Sequence, residues 1–242
     1  MNDFPSVSPA PGAQDRQRNR RSGRSAALKR RKKTNKGLAP WQWAVLALAL
    51  GGLIYALVSL NGANARLSAL RRERQAAQEK YEQTVRDHQV RYRDLIEKYA
   101  AEYDLNPAFV SAIIMNESSY DPMAVSRKDA VGLMQFMPST FEWVRNNCGY
   151  RNADISVLYE PEAAIKMGCY LIRYIINDLG SDDPILVACG YHAGWRNVRD
   201  SWLPNYSLDG KTLTIDQIPK ADTRTYAGRV LNSYAIYLQH YY

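Results

Sequence analysis

The most prominent feature of the hydropathy pattern is one long apolar block near the N-terminus. It runs from Trp41 to Leu60, and no charged residue occurs from Gly37 to Ala65. Twenty residues of helix, at about 1.5 Å per residue, span the roughly 30 Å hydrocarbon core of a bilayer. The pattern therefore predicts a transmembrane helix over residues 41–60, with the membrane as a partner of this segment.

A polar segment follows the apolar block. From residue 64 to residue 98 the chain is rich in Arg, Glu and Gln and contains neither Pro nor Gly. This composition predicts a long, solvated helix, and its apolar positions are too sparse for a coiled coil. We interpret residues 61–98 as a helical stalk that lifts the rest of the chain off the membrane.

The remaining chain shows the signals of short helices. Asn106 and Pro107 form an N-cap followed by proline at the first helical position, and Phe109 and Ile113 then recur at helical spacing until Pro122. Further helices are predicted from Ser139 (a capping box with Glu142) to Gly149, from Pro161 to Gly180, from Pro184 into GYHAG, and from Asp222 to Tyr237. Residues 204–221 are expected to form a loop, and residues 123–137 to include a small β-hairpin. The fold class is therefore mainly α, over about 140 residues.

Charge is distributed very unevenly along the chain. The formal net charge is +8, yet residues 16–36 alone hold eleven Lys and Arg and no acid, whereas residues 101–242 have a net charge of −4. A basic run can bind nucleic acid, but this one directly precedes the apolar block, which favours a positive-inside topology signal. Residues 1–40 are thus predicted to be a disordered, cytoplasmic tail without a nucleic-acid partner, and the part after Leu60 to be extracytoplasmic.

A cleaved signal peptide is the alternative interpretation of the N-terminus. Ala63, Asn64 and Ala65 fit a small-residue cleavage site. The leader before the apolar block is about forty residues long, and the block exceeds the usual signal core of about 7–15 residues, so a retained anchor is favoured.

The chain has three cysteines, Cys148, Cys169 and Cys189. An odd number leaves at least one unpaired within the chain, and Cys169 falls in an apolar helical pattern typical of a buried thiol. No CxxC or His-rich spacing indicates a metal, so neither metal nor cofactor is predicted.

The candidate chemistry begins at Glu117, at the end of the helix that Pro107 opens. It lies three and four residues after Ile114 and Ile113, on their face of the helix. Burial and the negative end of the helix dipole both favour the protonated carboxyl group, which a general acid needs. From this helix alone, an ordinary solvent-facing glutamate in the last turn is the favoured interpretation.

The GLMQ segment fifteen residues later adds chemistry suited to a sugar. Gly132 permits a close backbone approach, Met134 and Met137 offer pliable apolar surface, and Gln135 offers both a donor and an acceptor. Apolar ring faces and amide or hydroxyl groups are what a saccharide presents. Alone, the segment fits a packing turn as well.

Five pieces in order resemble the catalytic domain of the soluble lytic transglycosylases, a branch of the lysozyme-like (goose-type) fold. They are EKYAAEYDLNPAFVSAIIMNESSYDPMAVS, GLMQFMP, EPEAAIKMGCYLIRYI, GYHAG and DTRTYAGRVLNSYAIY, between about residues 91 and 238. The resemblance implies a catalytic domain over residues 91–242. It implies Glu117 as the catalytic acid and base and Ser118 as support for the turn. The positions that match substrate-binding residues of the family are Ser126, Met134, Gln135, Met137, Tyr191, His192 and Tyr226.

Three positions depart from the family pattern. GYHAG stands where the family has the motif AYNAG, so His192 replaces an Asn and changes the hydrogen bond normally supplied there. Ala164 replaces a frequent Asn, and Asp222 replaces the usual Glu with a shorter acid. Tyr226 also fits a core aromatic on the last helix.

The resemblance implies a reaction on peptidoglycan glycan strands in which Glu117 alone acts as acid and base and forms 1,6-anhydro-N-acetylmuramic acid. A hydrolytic muramidase would need a second carboxylate, for which Asp121, Asp129 and Asp200 are candidates, the first two being better explained as turn residues. An inactive, membrane-tethered wall-binding scaffold is a further alternative. Partners in the cell-wall machinery would meet the chain through the stalk.

Overall fold

A computed structural model describes residues 37–242, and the basic run and the predicted disordered tail lie almost wholly outside these residues. The described chain is built of helices. They are α1 (Pro40–Asp87), α2 (Arg93–Glu102), α3 (Pro107–Ser118), α4 (Pro138–Val144), α5 (Pro161–Leu179), α6 (Pro184–Ala193), α7 (Trp195–Asn197), α8 (Leu203–Tyr206) and α9 (Ala221–His240). Short 3-10 helices occur at Arg145–Asn147, Ile155–Tyr159 and Ile215–Gln217, and a π-helical turn at Val198–Trp202. The mainly α prediction is confirmed.

The chain divides between residues 65 and 66 into two units. The described part of the first unit is the apolar half of α1, with a mean hydropathy of 2.2 in its most apolar window, which is long and apolar enough to cross a membrane. Trp41 and Trp43 are more than three-fifths exposed there. This unit has the length and composition predicted for an anchor.

The second unit, residues 66–242, begins with the polar half of α1. The predicted uninterrupted helix through residue 98 is wrong, because α1 ends at Asp87 and α2 starts at Arg93. Between them His88 is buried, and its Nε2 lies 3.0 Å from Ser233 Oγ on α9. Tyr81 Oη also lies 2.7 Å from His240 Nε2 at the end of α9. These contacts join the C-terminal end of α1, and the residue after it, to α9.

The core lies where α3, α5, α6 and α9 meet, and it positions the site. α3 is buried along most of its length and packs against α9, while α5 carries one apolar face that contains Ile165, Cys169 and Ile172. Pro161 and Gly180, with φ 63°, bound α5 as predicted, and Asp183 caps α6 by accepting from Ile185 and Leu186.

Several local predictions are corrected. Residues 123–137 form two isolated antiparallel bridges, Val125–Val131 and Val131–Phe136, rather than hairpin strands. α4 begins at Pro138 with Met137 as its N-cap, so Ser139 is already inside the helix and makes no capping box. Lys220, not Asp222, is the N-cap of α9, because Asp222 bonds the adjacent Thr223 amide. The expected 204–221 loop contains the end of α8 and one 3-10 turn.

Candidate active site

Glu117 lies in the last turn of α3, on a helix fixed at both ends. The Asn106 side chain accepts the Ala108 amide at the N-terminus, and Ser119 adopts a left-handed φ of 52° directly after the C-terminus. Ser118 Oγ donates to the carbonyl of Leu133 at 2.9 Å, which ties the helix end to the GLMQ segment. Ser118 thus supports the turn, as the sequence implied.

Burial raises the pKa of the Glu117 carboxyl group from an ordinary 4.5 to about 7. Two groups oppose this shift. The Tyr226 hydroxyl donates to Glu117 Oε1 at 2.6 Å, and the positive charge of Arg229 also favours the carboxylate. The result is a carboxyl group that exists in both protonation states near neutral pH, which suits a group that must first give and then take a proton.

A stacked pair of rings lies behind the carboxyl group. Tyr226 is 2% exposed, and the His192 ring stacks on it with centroids 4.5 Å apart at 25°. His192 Nδ1 lies 3.0 Å from Thr223 Oγ1, and Thr223 in turn bonds the Asp222 carboxylate through its amide at 2.7 Å. Partial burial lowers the pKa of His192, which favours the neutral imidazole. His192 therefore retains a polar partner although the family's Asn is absent.

The GLMQ segment forms a tight turn opposite. Gly132 has φ 79°, and a Cβ at this position would lie 2.3 Å from the Leu158 carbonyl oxygen, so only glycine fits. Gln135 is also left-handed, with φ 49°, and its Nε2 donates to the carbonyls of Ala124 and Gly132. These bonds use the amide donors of Gln135 and leave its Oε1 for the cleft.

The prediction that Met134 lines the groove is wrong. Its side chain is 0% exposed and packs against Gly168 of α5, where a Cβ would collide with the methionine Cε. Met134 contributes through its backbone, because its carbonyl accepts the Tyr191 hydroxyl at 2.7 Å. This bond links GYHAG on α6 to the GLMQ turn.

A cleft of about 490 Å³ opens at Glu117. The residues that line it are Glu117, Ser126, Lys128, Ala130, Gln135, Met137, Tyr191, His192, Ala193, Lys220, Asp222 and Thr223. Six of the predicted site residues thus meet in one place, whereas Met134 lies beneath the cleft and Tyr226 lies behind Glu117 rather than on the surface. Ser126 Oγ also accepts the amides of Lys128 and Ala130, so it shapes the loop that forms the rim.

Sequence reasoning missed four contributors, two on α9 and two at the rim of the cleft. Thr223 and Arg229 lie three residues before and after Tyr226, on the same helical face, so helical spacing could have identified them. Lys220 precedes the helix and brings a positive charge to the cleft. No comparable spacing rule points to Lys128, which reaches the cleft through the bridge-forming loop.

The part of the chain that the structure describes holds no cluster of three or more His, Cys, Asp or Glu side chains suited to a metal ion. All three cysteines are free and buried, and burial raises the thiol pKa of Cys148 to about 11 and that of Cys189 to about 12. These thiols pack as small apolar side chains, as predicted for Cys169.

Comparison with known proteins points to one family. The family model for the transglycosylase SLT domain matches residues 94–213. The chain is 32% identical over 155 residues, 62% of its length, to the soluble lytic murein transglycosylase of Salmonella typhimurium, and it spans only 23% of that protein. It is 30% identical over 149 residues to the endo-type membrane-bound lytic murein transglycosylase A of Klebsiella pneumoniae, covering 60% of this chain and 73% of that protein.

Solved structures agree with these relatives. The 70 kDa soluble lytic transglycosylase of Escherichia coli superposes with a TM-score of 0.55 at 28% identity, over 61% of this chain and 24% of that one. A soluble lytic transglycosylase in complex with bulgecin A gives a TM-score of 0.57 at 27% identity, over 63% and 25%. The chain spans about a quarter of the length of these soluble proteins.

Proposed function

The chain belongs to the transglycosylase SLT domain family, and from this membership and the geometry around Glu117 we propose that it is a peptidoglycan lytic transglycosylase. It cleaves the β-1,4 bond between N-acetylmuramic acid and N-acetylglucosamine. The observation that carries the proposal is the Glu117 carboxyl group, with a pKa raised to about 7 in a cleft whose walls mix apolar and hydrogen-bonding side chains.

In the first step, protonated Glu117 donates its proton to the glycosidic oxygen, and the bond to the muramic C1 breaks. The acetamido group of the substrate stabilises the oxocarbenium-like centre. Glu117 is then a carboxylate, and the bond from Tyr226, which favours this charged form, strengthens.

In the second step, the Glu117 carboxylate accepts the proton of the muramic C6 hydroxyl, whose oxygen bonds to C1 and closes the 1,6-anhydro ring. The carboxyl group ends in its starting state, and no water is consumed. One acid with a pKa near 7 is thus sufficient for both proton transfers.

The sugar-binding roles are assigned by position in the cleft. Gln135 offers Oε1 to donors of the substrate, and the exposed Met137 offers apolar contact to a ring face. Tyr191 acts through its bond to the Met134 carbonyl, which holds the two walls of the cleft in register. His192 keeps Tyr226 covered on its outer face.

Purified peptidoglycan digested with the full chain in detergent tests the proposal. Mass spectrometry distinguishes anhydro-muramic ends, which are lighter than reducing ends by one water. We expect anhydro ends from the wild type and none from Glu117→Gln, which keeps the size of the side chain but cannot donate an acidic proton. Cleavage that persists in Glu117→Gln would overturn the assignment of Glu117.

A hydrolytic muramidase is the second candidate, because one further carboxylate, Asp222, lines the cleft. The acids considered from sequence fit this role less well. Asp121 bonds the Met123 amide in a turn, Asp129 has a left-handed φ of 61°, and Asp200 pairs with Arg199. Reducing ends that disappear in Asp222→Asn would establish hydrolysis. Wall binding without any cleavage would instead establish the inactive scaffold.

We also propose that the apolar half of α1 anchors the chain, with the N-terminus in the cytoplasm and the second unit outside. The apolar window of α1 supports this, as does the likeness to a relative named as membrane-bound. Mass measurement of the protein recovered from membranes separates anchor from signal peptide, since cleavage after Ala65 would remove the whole apolar segment. Protease treatment of intact spheroplasts should digest the part from Arg66 onwards.

A further inference from the structure

Four aromatic rings form a cluster on the side of α5 that faces α4 and α7. Trp143 and Trp195 lie 5.7 Å apart between centroids at 34°, and the Tyr174 ring stands edge-on to both, at 4.6 Å and 5.3 Å. Tyr170 contacts Trp143 from the other side at 6.0 Å. Trp143, Tyr174 and Trp195 are each only partly buried, so the cluster keeps aromatic surface open to solvent.

A separate cavity of about 340 Å³ lies on this cluster. Its apolar wall is formed by the three open rings, and its polar wall by Ser139, Thr140 and Asn197. The Trp195 indole Nε1 is buried and has no hydrogen-bond partner among residues 37–242. An N–H donor that is buried without a partner costs folding free energy.

Two chain segments run from the catalytic cleft directly into this cavity. Met137 lines the cleft, and Ser139, two residues later, lines the aromatic cavity. On the other wall, Ala193 lines the cleft and the adjacent Gly194 lines the cavity. The two depressions are therefore neighbours along both of these chain segments.

We propose that the aromatic cavity, which we call the Trp195 subsite, binds one sugar ring of the same glycan strand at a distance from the bond that is cut. Aromatic faces stack on the apolar faces of pyranose rings, while the hydroxyl and amide groups of the polar wall bond the ring substituents. The volume is at the low end of the roughly 300–1,000 Å³ typical of small-molecule pockets, which suits one sugar unit.

The subsite deepens the proposed function and rests on it for the identity of the strand. A strand that fills both depressions is bound more tightly than one that fills only the catalytic cleft. The Trp195 subsite thus makes the enzyme prefer long strands. The reaction at Glu117 by itself does not require this preference.

The first test compares glycan strands without stem peptides, one too short and one long enough to reach the subsite. For the full-length wild type in detergent we expect kcat/KM to be higher for the long strand. In Trp195→Leu, the ratio of the long-strand to the short-strand value should fall about tenfold, the effect of losing roughly one good contact. Tyr206→Ala removes an exposed aromatic residue outside the subsite and should leave the ratio unchanged.

A second variant guards against a folding defect in Trp195→Leu. Thr140→Trp adds bulk from the rim and fills the cavity without removing a core contact, and it should lower the same ratio. An unchanged ratio in both variants, or a loss seen only with strands that carry stem peptides, would overturn the sugar assignment. The latter result would assign the cavity to a stem peptide, because Arg196 is also among the residues that line it.

A binding experiment separates failure of the subsite from failure of the proposed reaction. Calorimetry with an N-acetylglucosamine hexamer is carried out on Glu117→Gln and on Glu117→Gln combined with Trp195→Leu. We expect about tenfold weaker binding in the double variant, whether or not the wild type cleaves peptidoglycan. Equal affinity of the two proteins would reject the Trp195 subsite even if cleavage is observed.

Discussion

The Tyr226 hydroxyl donates a 2.6 Å hydrogen bond to Glu117 Oε1, although the two residues are 109 positions apart in the chain. Tyr226 is buried, and burial and the Glu117 charge both hold its pKa well above the usual value, so it remains a donor throughout the working range of pH. Glu117 therefore has the same neutral hydroxyl donor beside it in both of its protonation states.

Tyr226→Phe should lower kcat about 10- to 100-fold, the range for loss of one donor to a developing charge, slightly below that of a full oxyanion-hole donor. It should also move the alkaline limb of the kcat/KM profile to higher pH, because the lost bond favours the carboxylate and its removal raises the Glu117 pKa. Rates measured from pH 5 to 9 on purified peptidoglycan test both effects.

Tyr234→Phe is the matched control. Tyr234 lies on the same helix and packs edge-on against Phe109, 5.4 Å between centroids, without contact to Glu117. Tyr234→Phe should therefore leave the alkaline limb at its wild-type pH. A Tyr226→Phe variant with lower rate but an unmoved alkaline limb would show that Tyr226 has only a packing role.

In the wild type, kcat/KM should fall as pH rises through about 7. Glu117 must be protonated to donate its proton to the glycosidic oxygen, and burial raises its pKa to about 7. The slope should approach one decade per pH unit above that value. Asp222→Asn should leave the position of this limb unchanged. The lowered pKa of Asp222 keeps its carboxylate ionised both below and above pH 7. A limb near pH 4.5 would mean that the Glu117 carboxyl group is fully hydrated.

The same pKa has a consequence for stability. Between about pH 4.5 and 7, Glu117 is protonated in the folded chain and ionised in the unfolded one, so the folded state binds more protons and stability falls as pH rises. Glu117→Gln removes this titration. The variant should therefore gain stability relative to wild type as pH rises from 4.5 to 7, by at most about 3 kcal/mol at one pKa unit per 1.4 kcal/mol.

Thermal unfolding of both proteins at pH 4, 6 and 8 measures this difference. Glu97→Gln is the control, because Glu97 is an exposed partner of Arg93 on α2 and lies outside the site. A difference between wild type and Glu117→Gln that is constant across the three pH values would contradict the linkage.

His192 is the position in the cleft at which the chain departs from the family's Asn. Its ring stacks on Tyr226, and its Nδ1 contacts Thr223. His192→Asn should keep the rate within about threefold, because an amide can bond the same hydroxyl, whereas His192→Ala should lose about tenfold through the lost contact and the uncovered Tyr226. The ratio of the two variant rates is the measurement. If Ala is tolerated as well as Asn, His192 has no part in positioning Tyr226.

The helical fold could be predicted from sequence because it follows from local rules, whereas Glu117 was identified by the family resemblance. Caps and periodicity located α3, α5 and α6, and two apolar neighbours one turn earlier placed Glu117 on the buried face. The environment of Glu117 could not be predicted in the same way, because Tyr226 and Arg229 come from a helix more than 100 residues later. Family resemblance identified Tyr226 as important, and only the packing of α9 on α3 gives it a bond to the acid.

Met134 shows the opposite limit. An exposed and a buried methionine look alike in sequence, and Met134 and Met137 are three residues apart in a non-helical turn, where spacing does not define a face. The left-handed Gln135 between them reverses the chain, so that one side chain enters the core at Gly168 and the other lines the cleft. The interruption of α1 at residues 88–92 was missed for a similar reason, since no Pro or Gly marks it.

Gly132→Ala should destabilise the domain and remove activity together. Gly132 has a φ of 79°, and the added Cβ would lie 2.3 Å from the backbone oxygen of Leu158, which cannot move aside as a flexible side chain could. We expect a loss of roughly 2–4 kcal/mol in the free energy of unfolding, from strain and displacement of the GLMQ turn. Gly149→Ala separates the two causes, because Gly149 has a similar φ of 85° but no atom within 4 Å of its Cβ position. That control should cost only about 1 kcal/mol and retain activity. Denaturant unfolding and peptidoglycan cleavage are measured for both, and equal losses would show that backbone conformation alone, rather than the contact with Leu158, makes glycine necessary at Gly132.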